Sequence, residues 1–323
     1  MSGSVKARVM YLTGPRRFEL VAEERTPGPG QVLVAVRACG VCVSELERYL
    51  AGPDSTPVAL GHEPAGEVVA VGEGVTQFRP GDRVTGLFGR AFASHVVVDA
   101  GRLWHIPEGI PYEHALGEPI KCVVTAARAS SYEFGDAVVL IGCGFMGLMT
   151  LAAIAGRAAA HLIAVDLHAD RLALARELGA TCTVNAATED LVAVVRELTG
   201  GRGAEVAIEA TGQGKALELA AKVLRRGVRP KLVMVGYHNR PQMVDLTGFA
   251  HAGLIAINAH PSYSLDPAED MRRGLEALAR GIFPMQRLVT HRLPLERLAD
   301  AFELARSQAD GYIKAVIVPD GNA

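Results

Sequence analysis

One short segment limits what this chain can fold into more than any other: the glycine-spaced run Gly142-Cys-Gly-Phe-Met-Gly147. An uncharged apolar run, residues 137–141, precedes it, and a predicted helix, residues 146–156, follows it. Glycines spaced in this way between a strand and a helix permit a tight turn, a close approach of the backbone to a pyrophosphate, and close helix–strand packing. The segment therefore predicts a strand–turn–helix unit whose helix N-terminus faces the phosphates of a dinucleotide.

An alternative interpretation of this segment is a glycine-rich turn in an α/β domain that binds no nucleotide. The context favours binding, because the next predicted strand, residues 161–165, leads into Asp166, about 20 residues beyond the last glycine. Its carboxylate can accept hydrogen bonds from the adenosine ribose and would repel a 2′-phosphate, so NAD is favoured over NADP. Arg171 is near enough in sequence to hold that phosphate, which leaves NADP open. The predicted cofactor contacts are Gly142, Gly144, Phe145, Met146, Gly147, Asp166 and Arg171.

The chain changes character at about Lys121. After it, predicted strands at 137–141, 161–165, 206–209 and 231–235 alternate with predicted helices at 146–156, 169–178 and 215–224. This alternation is typical of a parallel sheet with crossover helices. Before it, short Val- and Ala-rich runs separated by Pro and Gly turns predict a β-rich region, with strands at 5–11, 31–38, 65–71 and 94–98. A chain of 323 residues exceeds the usual size of one hydrophobic core, so we expect two domains.

Composition and charge exclude several classes of function. The net charge is −2 and no long run of like charge occurs, so no nucleic-acid partner is expected. Residues 137–156 are uncharged, but glycines break them in the pattern of a strand–turn–helix unit, and no membrane partner is expected. Residues 1–8 lack the apolar core of a signal peptide, and five cysteines, an odd number, argue against a disulfide framework. We therefore expect a cytoplasmic protein.

Two segments carry residues that can bind a metal ion: Cys42 in Cys39-Gly-Val-Cys42, and His62 with Glu63 in Gly61-His-Glu-Pro64. A thiolate, an imidazole and a carboxylate are the usual ligands of a catalytic zinc ion, which keeps one coordination position open. Taken alone, such residues are more often buried structural groups than ligands. The two segments therefore need further support.

That support is a family resemblance that runs along almost the whole chain. The segments 40–45, 61–72, 80–84, 142–147, 209–212 and 288–291 resemble the motifs of the zinc-containing medium-chain dehydrogenase/reductase family, which includes alcohol, sorbitol and threonine dehydrogenases. The resemblance implies an α/β fold with a GroES-like β-rich catalytic domain, residues 1–121 and 258–323. It also implies a Rossmann-type, doubly wound NAD-binding domain, residues 122–257.

The resemblance also implies roles for single residues. Cys42 and His62 match the first two zinc ligands, and Glu118, in a Gly-Glu-Pro segment, matches the third ligand of the sorbitol dehydrogenase branch. Glu63 is expected beside the ion or bound to it, as an alternate ligand or a supporting catalytic group. Ser44 is expected to take the substrate hydroxyl proton and to pass it to the cofactor ribose.

This sequence departs from the family pattern at three places. The lobe with four cysteines that holds a structural zinc is absent after Val84, so one catalytic zinc ion per chain is expected. Glu45 stands where Asp is usual, at the position that orients the ligand histidine through its second ring nitrogen. Glu47 stands where some relatives have a proton-relay histidine.

Together these features predict an enzyme that transfers a hydride between NAD(H) and a small secondary alcohol or ketone, with a zinc ion polarising the reacting oxygen. A polyol, a sugar or a cyclitol is the expected substrate. A zinc-free reductase of the quinone oxidoreductase branch and a non-catalytic relative remain as alternatives. The strand predicted at 253–259 has few charges to protect a sheet edge, so a homodimer or homotetramer is expected.

Overall fold

The computed structural model describes residues 3–309 and 311–319. It divides the chain into two compact units. The first unit joins Met1–Ile120 to Met271–Ala323, and the second consists of Lys121–Asp270. Because the two segments of the first unit flank the second unit in sequence, the chain passes between the units twice.

The helices and strands follow one another in an order that reflects this division. The N-terminal part contains β1 (Val5–Gly14), β2 (Arg17–Arg25), β3 (Gln31–Gly40), α1 (Leu46–Ala51), β4 (Val58–Ala59), β5 (Glu63–Val71), β6 (Arg83–Gly86), β7 (His95–Asp99), β8 (Leu103–His105) and α2 (Gly117–Ala129). The middle contains β9 (Ala137–Ile141), α3 (Phe145–Ile154), β10 (His161–Asp166), α4 (Ala169–Glu177), β11 (Cys182–Asn185), α5 (Leu191–Leu198), β12 (Val206–Glu209), α6 (Gly214–Val223), β13 (Lys231–Met234), α7 (Thr247–Ala252), β14 (Ile255–Asn258) and α8 (Pro267–Ala279). The C-terminal part contains α9 (Met285–Leu288), β15 (Val289–Leu293), α10 (Leu298–Ser307) and β16 (Lys314–Ile317).

The first unit is built on β3, which pairs antiparallel with β5, β7 and β16. Most of β3 is buried, as expected for a strand with neighbours on both edges and side chains packed on both faces. An aromatic group of Phe18, Tyr49, Phe92 and Phe302 fills part of the core, and the rings of Tyr49 and Phe302 stack at 4.7 Å. The pairing brings the end of β3 beside the starts of β5 and β16.

The second unit is a parallel sheet with strand order β11-β10-β9-β12-β13-β14. The strands β9 and β12 have the bounds predicted from the sequence, and both are buried along their whole length. Helices connect successive strands, so the doubly wound α/β architecture is confirmed. The register sets Glu209 beside Ile141 and Met234, so the carboxyl ends of β9, β12 and β13 lie along one edge.

The uncharged run of residues 137–156 forms β9, a turn and α3. Among the helices of the described residues, none combines the length and the apolar character needed to cross a membrane.

Candidate active site

Three side chains of the first unit form a group with the chemistry of a metal site. Cys42, His62 and Glu63 each offer one ligand atom, and these atoms lie within 4.8 Å of one another. The antiparallel pairing of β3 with β5 places Gly40 opposite Glu63, which explains how segments about 20 residues apart come together. Cys42 lies two residues after the end of β3, and Glu63 is the first residue of β5.

Glu45 holds the imidazole of this group in place. Its Oε1 accepts a hydrogen bond from the backbone N–H of Gly61 at 2.8 Å and lies 3.1 Å from Nδ1 of His62. Glutamate at this position therefore reaches the second ring nitrogen of the histidine, as aspartate is expected to do in related chains. Fixing Nδ1 in this way leaves Nε2 of His62 as the nitrogen available to a metal ion.

The electrostatics of the group favour a cation. Burial acts to lower the pKa of His62, but hydrogen bonds to Cys42 and Glu45, together with the negative charges of these two groups, raise the pKa to about 12. The imidazole ring would therefore carry a second proton unless another cation balances the negative charges of Cys42 and Glu45. A zinc ion fits this donor set, because it would supply that positive charge to a thiolate, an imidazole and a carboxylate.

Glu63 forms a buried ion pair with Lys314, the first residue of β16. The two side chains are 2% and 4% exposed, and Nζ lies 2.5 Å from Oε2. Oε2 of Glu63 is therefore a buried oxygen whose charge is met by the ammonium group of Lys314. A Cβ atom on Gly40 would lie 2.0 Å from this oxygen, so glycine is required there for the carboxylate to fit.

Sequence reasoning did not identify Lys314. Burial acts to lower its pKa, but the charges of Glu63 and Cys42 outweigh burial and raise the pKa above its usual range. The signal that could have revealed this residue is a lysine at the start of the otherwise apolar run Lys314-Ala-Val-Ile317. Such a lysine is rarely buried without a partner of opposite charge.

Two further candidates of this region, Ser44 and Glu118, lie outside the three-residue group. Ser44 donates a hydrogen bond from its hydroxyl to Sγ of Cys42 at 3.1 Å, so its single proton points at the thiolate. Glu118 lies in the first turn of α2, is half-buried and is not a member of the three-residue group. The start of α2 is anchored by the backbone N–H of Gly117, which donates to Oγ1 of Thr85 at 2.8 Å.

In the second unit, each glycine of the run 142–147 is explained by a different physical constraint. Gly142 has a φ of +101°, which L-residues with a side chain rarely adopt. A Cβ on Gly147 would lie 1.9 Å from the carbonyl oxygen of Gly142, so this position must lack a side chain for α3 to pack against the turn. A Cβ on Gly144 would meet no atom within 4 Å, which leaves open space where the backbone can approach a ligand.

Asp166 ends β10 beside this turn, and backbone groups hold its carboxylate. Oδ2 accepts from the N–H of Cys143 at 2.7 Å, and Oδ1 accepts from those of Leu167 and His168 at 2.8 and 3.0 Å. Of the other predicted cofactor contacts, Phe145 and Met146 open α3, and Arg171 lies in the first turn of α4. The turn and the acid therefore form one continuous edge of the sheet.

Comparison with known proteins agrees with both halves of this geometry. The alcohol dehydrogenase GroES-like domain matches residues 28–108, and the zinc-binding dehydrogenase domain matches residues 146–279. (R,R)-Butanediol dehydrogenase of Bacillus subtilis is 30% identical over 94% of this chain and 96% of its own length. L-Threonine 3-dehydrogenase of Symbiobacterium thermophilum is 33% identical over 91% of this chain and 92% of its own.

Solved structures share the whole architecture. The crystal structure of 2R,3R-butanediol dehydrogenase from Bacillus subtilis matches with a TM-score of 0.83 at 27% identity, and covers 97% of this chain and 100% of that one. The family resemblance and the fold predicted from it, a GroES-like domain with a Rossmann-type domain, are thereby confirmed. The chain belongs to the zinc-type medium-chain dehydrogenases, oxidoreductases that use a nicotinamide cofactor.

Proposed function

We propose that this enzyme transfers a hydride between NAD(H) and a small secondary alcohol or the corresponding ketone, with one catalytic zinc ion per chain. The observation that carries the proposal is the group of Cys42, His62 and Glu63, whose ligand atoms lie within 4.8 Å of one another. We assign the catalytic role to the first unit and the cofactor to the second, whose glycine turn and Asp166 have the form of a dinucleotide site.

The zinc ion would be held by Cys42 and His62, with Glu118 as the third ligand that the resemblance indicates. Glu63 would stand beside the ion, because Lys314 already balances the charge of its buried carboxylate. Exchanging each carboxylate for its amide separates these roles. We expect Glu118→Gln to release zinc, and Glu63→Gln to keep it with about 10–100-fold weaker affinity. Loss of zinc from Glu63→Gln alone would make Glu63 the ligand instead.

A bound zinc ion would supply a Lewis acid that polarises the substrate oxygen. The residues around it have distinct tasks. Glu45 fixes the ring of His62 through Nδ1, and Lys314 balances the charge of the buried Glu63 carboxylate. Ser44 carries a hydroxyl next to the ligand sulfur, and rotation of that hydroxyl away from Cys42 would let its oxygen accept the substrate proton while its own proton passes on to the next hydrogen-bond acceptor.

We further propose NAD as the cofactor and a polyol, sugar or cyclitol as the substrate. Asp166 ends β10 beside the glycine turn, and from there its carboxylate would accept hydrogen bonds from ribose hydroxyls and repel a phosphate. The butanediol and threonine dehydrogenases that this chain resembles are named for substrates with a hydroxyl next to a second polar group. A substrate with neighbouring polar groups is therefore favoured over a simple alcohol.

Metal analysis of chelator-free protein, combined with an NAD-linked activity screen, tests this proposal. We expect one zinc ion per chain and turnover of at least one class among polyols, cyclitols, sugars and amino alcohols. Two tightly held zinc ions per chain would contradict the metal assignment. A protein without zinc that reduces quinones would instead support the quinone oxidoreductase interpretation.

Assembly into a homodimer or homotetramer is also proposed. β14 forms an edge of the parallel sheet, and most of its residues are exposed, with Ile255 at 46%. An uncharged exposed edge strand offers unpaired backbone groups to a second copy. Light scattering at micromolar concentration tests this, and a monomer would contradict it. A cytoplasmic location is proposed as well, since an odd number of cysteines, five in this chain, argues against a disulfide framework.

A further inference from the structure

The turn after β12 and the segment after β13 form one interlocked block at the carboxyl edge of the sheet. A Cβ on Gly142 would lie 2.6 Å from Cγ2 of Thr211, so the turn after β12 touches the glycine run. A Cβ on Gly212 would lie 2.7 Å from the carbonyl oxygen of Tyr237, and one on Gly236 would lie 2.2 Å from the N–H nitrogen of Gly212. The shape of the glycine turn therefore depends on how these two segments are held together.

A buried carboxylate stands at the centre of the block. Glu209, the last residue of β12, is 0% exposed. Its Oε1 accepts hydrogen bonds from the hydroxyl and N–H of Thr211 and from the N–H of Gly212. Its Oε2 lies 2.9 Å from Nε2 of His238, a side chain that is 21% exposed and belongs to the segment after β13. Glu209 thus ties both segments to the end of its own strand.

Gln242 determines which nitrogen of His238 carries a proton. Its Oε1 accepts from the N–H of Gly214 at 2.6 Å, so the amide cannot be turned around without losing that bond. Its Nε2 is then the donor, and lies 3.1 Å from both the carbonyl oxygen of Gly212 and Nδ1 of His238. A nitrogen that accepts from an amide N–H is unprotonated. The ring therefore donates to Glu209 through Nε2 and accepts from Gln242 through Nδ1.

We propose that His238 is a positioning residue for the dinucleotide, acting as a neutral imidazole that donates to Glu209 and accepts from Gln242. The proposal rests on the cofactor site assigned above. Both a donor and an acceptor nitrogen are needed, because the ring ties the segment after β13 to the end of β12, and the turn after β12 in turn meets the glycine turn. In a cationic ring, Nδ1 also carries a proton. Its N–H would then face the N–H of the Gln242 amide, and the repulsion between two donors would push the segments apart.

An ordinary ion pair between His238 and Glu209 is the competing interpretation, and substitutions distinguish the two. His238→Gln keeps a neutral donor and an acceptor in one side chain, whereas His238→Arg keeps positive charge and donors but has no acceptor. We expect His238→Gln to bind NADH within about threefold of the unmodified enzyme, and His238→Arg to bind at least about tenfold more weakly. The reverse order would show an ion pair and overturn the proposal.

Gln242→Glu provides a second, independent test, because the arginine of His238→Arg could disturb packing. The variant can still accept from Gly214, but its other oxygen faces the carbonyl oxygen of Gly212 and the unprotonated Nδ1 of His238. We expect NADH affinity to fall by at least about tenfold. Tighter binding would mean that His238 is already cationic. Zinc content and thermal unfolding of each variant verify that the fold and the metal site are intact.

Nitrogen-15 NMR of histidine-labelled enzyme tests the protonation state without a cofactor. We expect one protonated and one unprotonated ring nitrogen for His238, with the assignment made from the signals that His238→Gln removes. Two protonated nitrogens would overturn this inference and leave the proposed function standing. Failure of the unmodified enzyme to bind NADH would instead overturn the cofactor site itself.

Discussion

The metal group and the glycine turn are built by opposite means. The metal group consists of side chains from two separated segments, Cys42 and His62 with Glu63, which strand pairing brings together, and Lys314 from a third segment balances Glu63. The glycine turn consists of backbone within one continuous run, shaped by residues that lack side chains. The first site depends on balancing buried charge, and the second depends on leaving space.

Because of this difference, the two sites tolerate different kinds of substitution. A change at the metal group alters charge and leaves an unmatched partner buried, which is costly in a low-dielectric setting. A change at the glycine turn alters shape, and its cost depends on whether the added atoms meet backbone or open space. The following predictions test this contrast, beginning with the largest expected effect.

Cys42→Ser should abolish turnover and leave cofactor binding nearly unchanged. Serine removes the thiolate, so zinc should be lost and activity should fall below about 1% of that of the unmodified enzyme, since even groups behind the ligands contribute 10–100-fold. NADH affinity should stay within about twofold, because the glycine turn belongs to the second unit. Zinc content, turnover and NADH titration are the measurements. Cys182→Ser, which changes a half-buried thiol of the second unit, is the matched control. Retention of both zinc and activity by Cys42→Ser would contradict the site.

Lys314→Met should destabilise the fold more than any single change at the turn. It leaves the carboxylate of Glu63 buried without its cation, and breaking a buried pair from one side costs about 3–5 kcal/mol. The double variant Lys314→Met with Glu63→Gln should recover most of this loss, because both groups are then neutral. Urea unfolding of the four proteins measures the coupling. Equal stability of the single variant and the unmodified protein would show that the pair is not buried in solution.

The same contrast explains how much of the molecule could be predicted from its sequence. β9 and β12 were predicted with their observed bounds, because both are short, apolar and bounded by turn residues. β2 was missed, since its mostly exposed and charged residues show no buried face. Residues 295–307, for which the sequence predicts a single helix, begin as a short 3-10 turn, Leu295–Arg297, and become α-helical only at Leu298.

The site residues divide in the same way. The glycine run could be interpreted from its spacing together with the strand before it, the helix after it and Asp166, because all these determinants are local in sequence. Cys42 and His62 needed a family resemblance, since no local pattern shows that segments 20 residues apart will meet. Lys314 was missed, because its partner Glu63 lies about 250 residues away in sequence and the only local signal is its place at the start of an apolar run. Glu118 remains a prediction from the resemblance.

Two glycine substitutions should have separate effects. Gly147→Ala places a Cβ against the carbonyl oxygen of Gly142, so α3 must shift, and we expect a loss of about 1–3 kcal/mol in the free energy of unfolding as well as weaker NADH binding. Gly144→Ala meets no protein atom, so stability should be unchanged while NADH affinity falls by about tenfold. Urea unfolding and NADH titration test both. A loss of stability in Gly144→Ala, or none in Gly147→Ala, would contradict the roles assigned to these positions.

The choice between NAD and NADP should show the smallest effect. It depends on the charge of Asp166, which lies beside a turn that is otherwise determined by shape. With NAD, the carboxylate of Asp166 accepts hydrogen bonds from ribose hydroxyls, whereas with NADP it faces a phosphate of about −1.5 to −2 charge. The penalty should exceed about 1.4 kcal/mol, so we expect a preference for NAD of at least about tenfold in kcat/KM.

Asp166→Ser should reduce or reverse this preference. It also removes the acceptor of the Cys143 N–H, so a modest loss of affinity for both cofactors should accompany it. Asp170→Ser, at an exposed acid in the first turn of α4, is the matched control and should keep the preference. Equal kcat/KM with both cofactors in the unmodified enzyme would show that Asp166 does not face the ribose, and that Arg171 governs the choice.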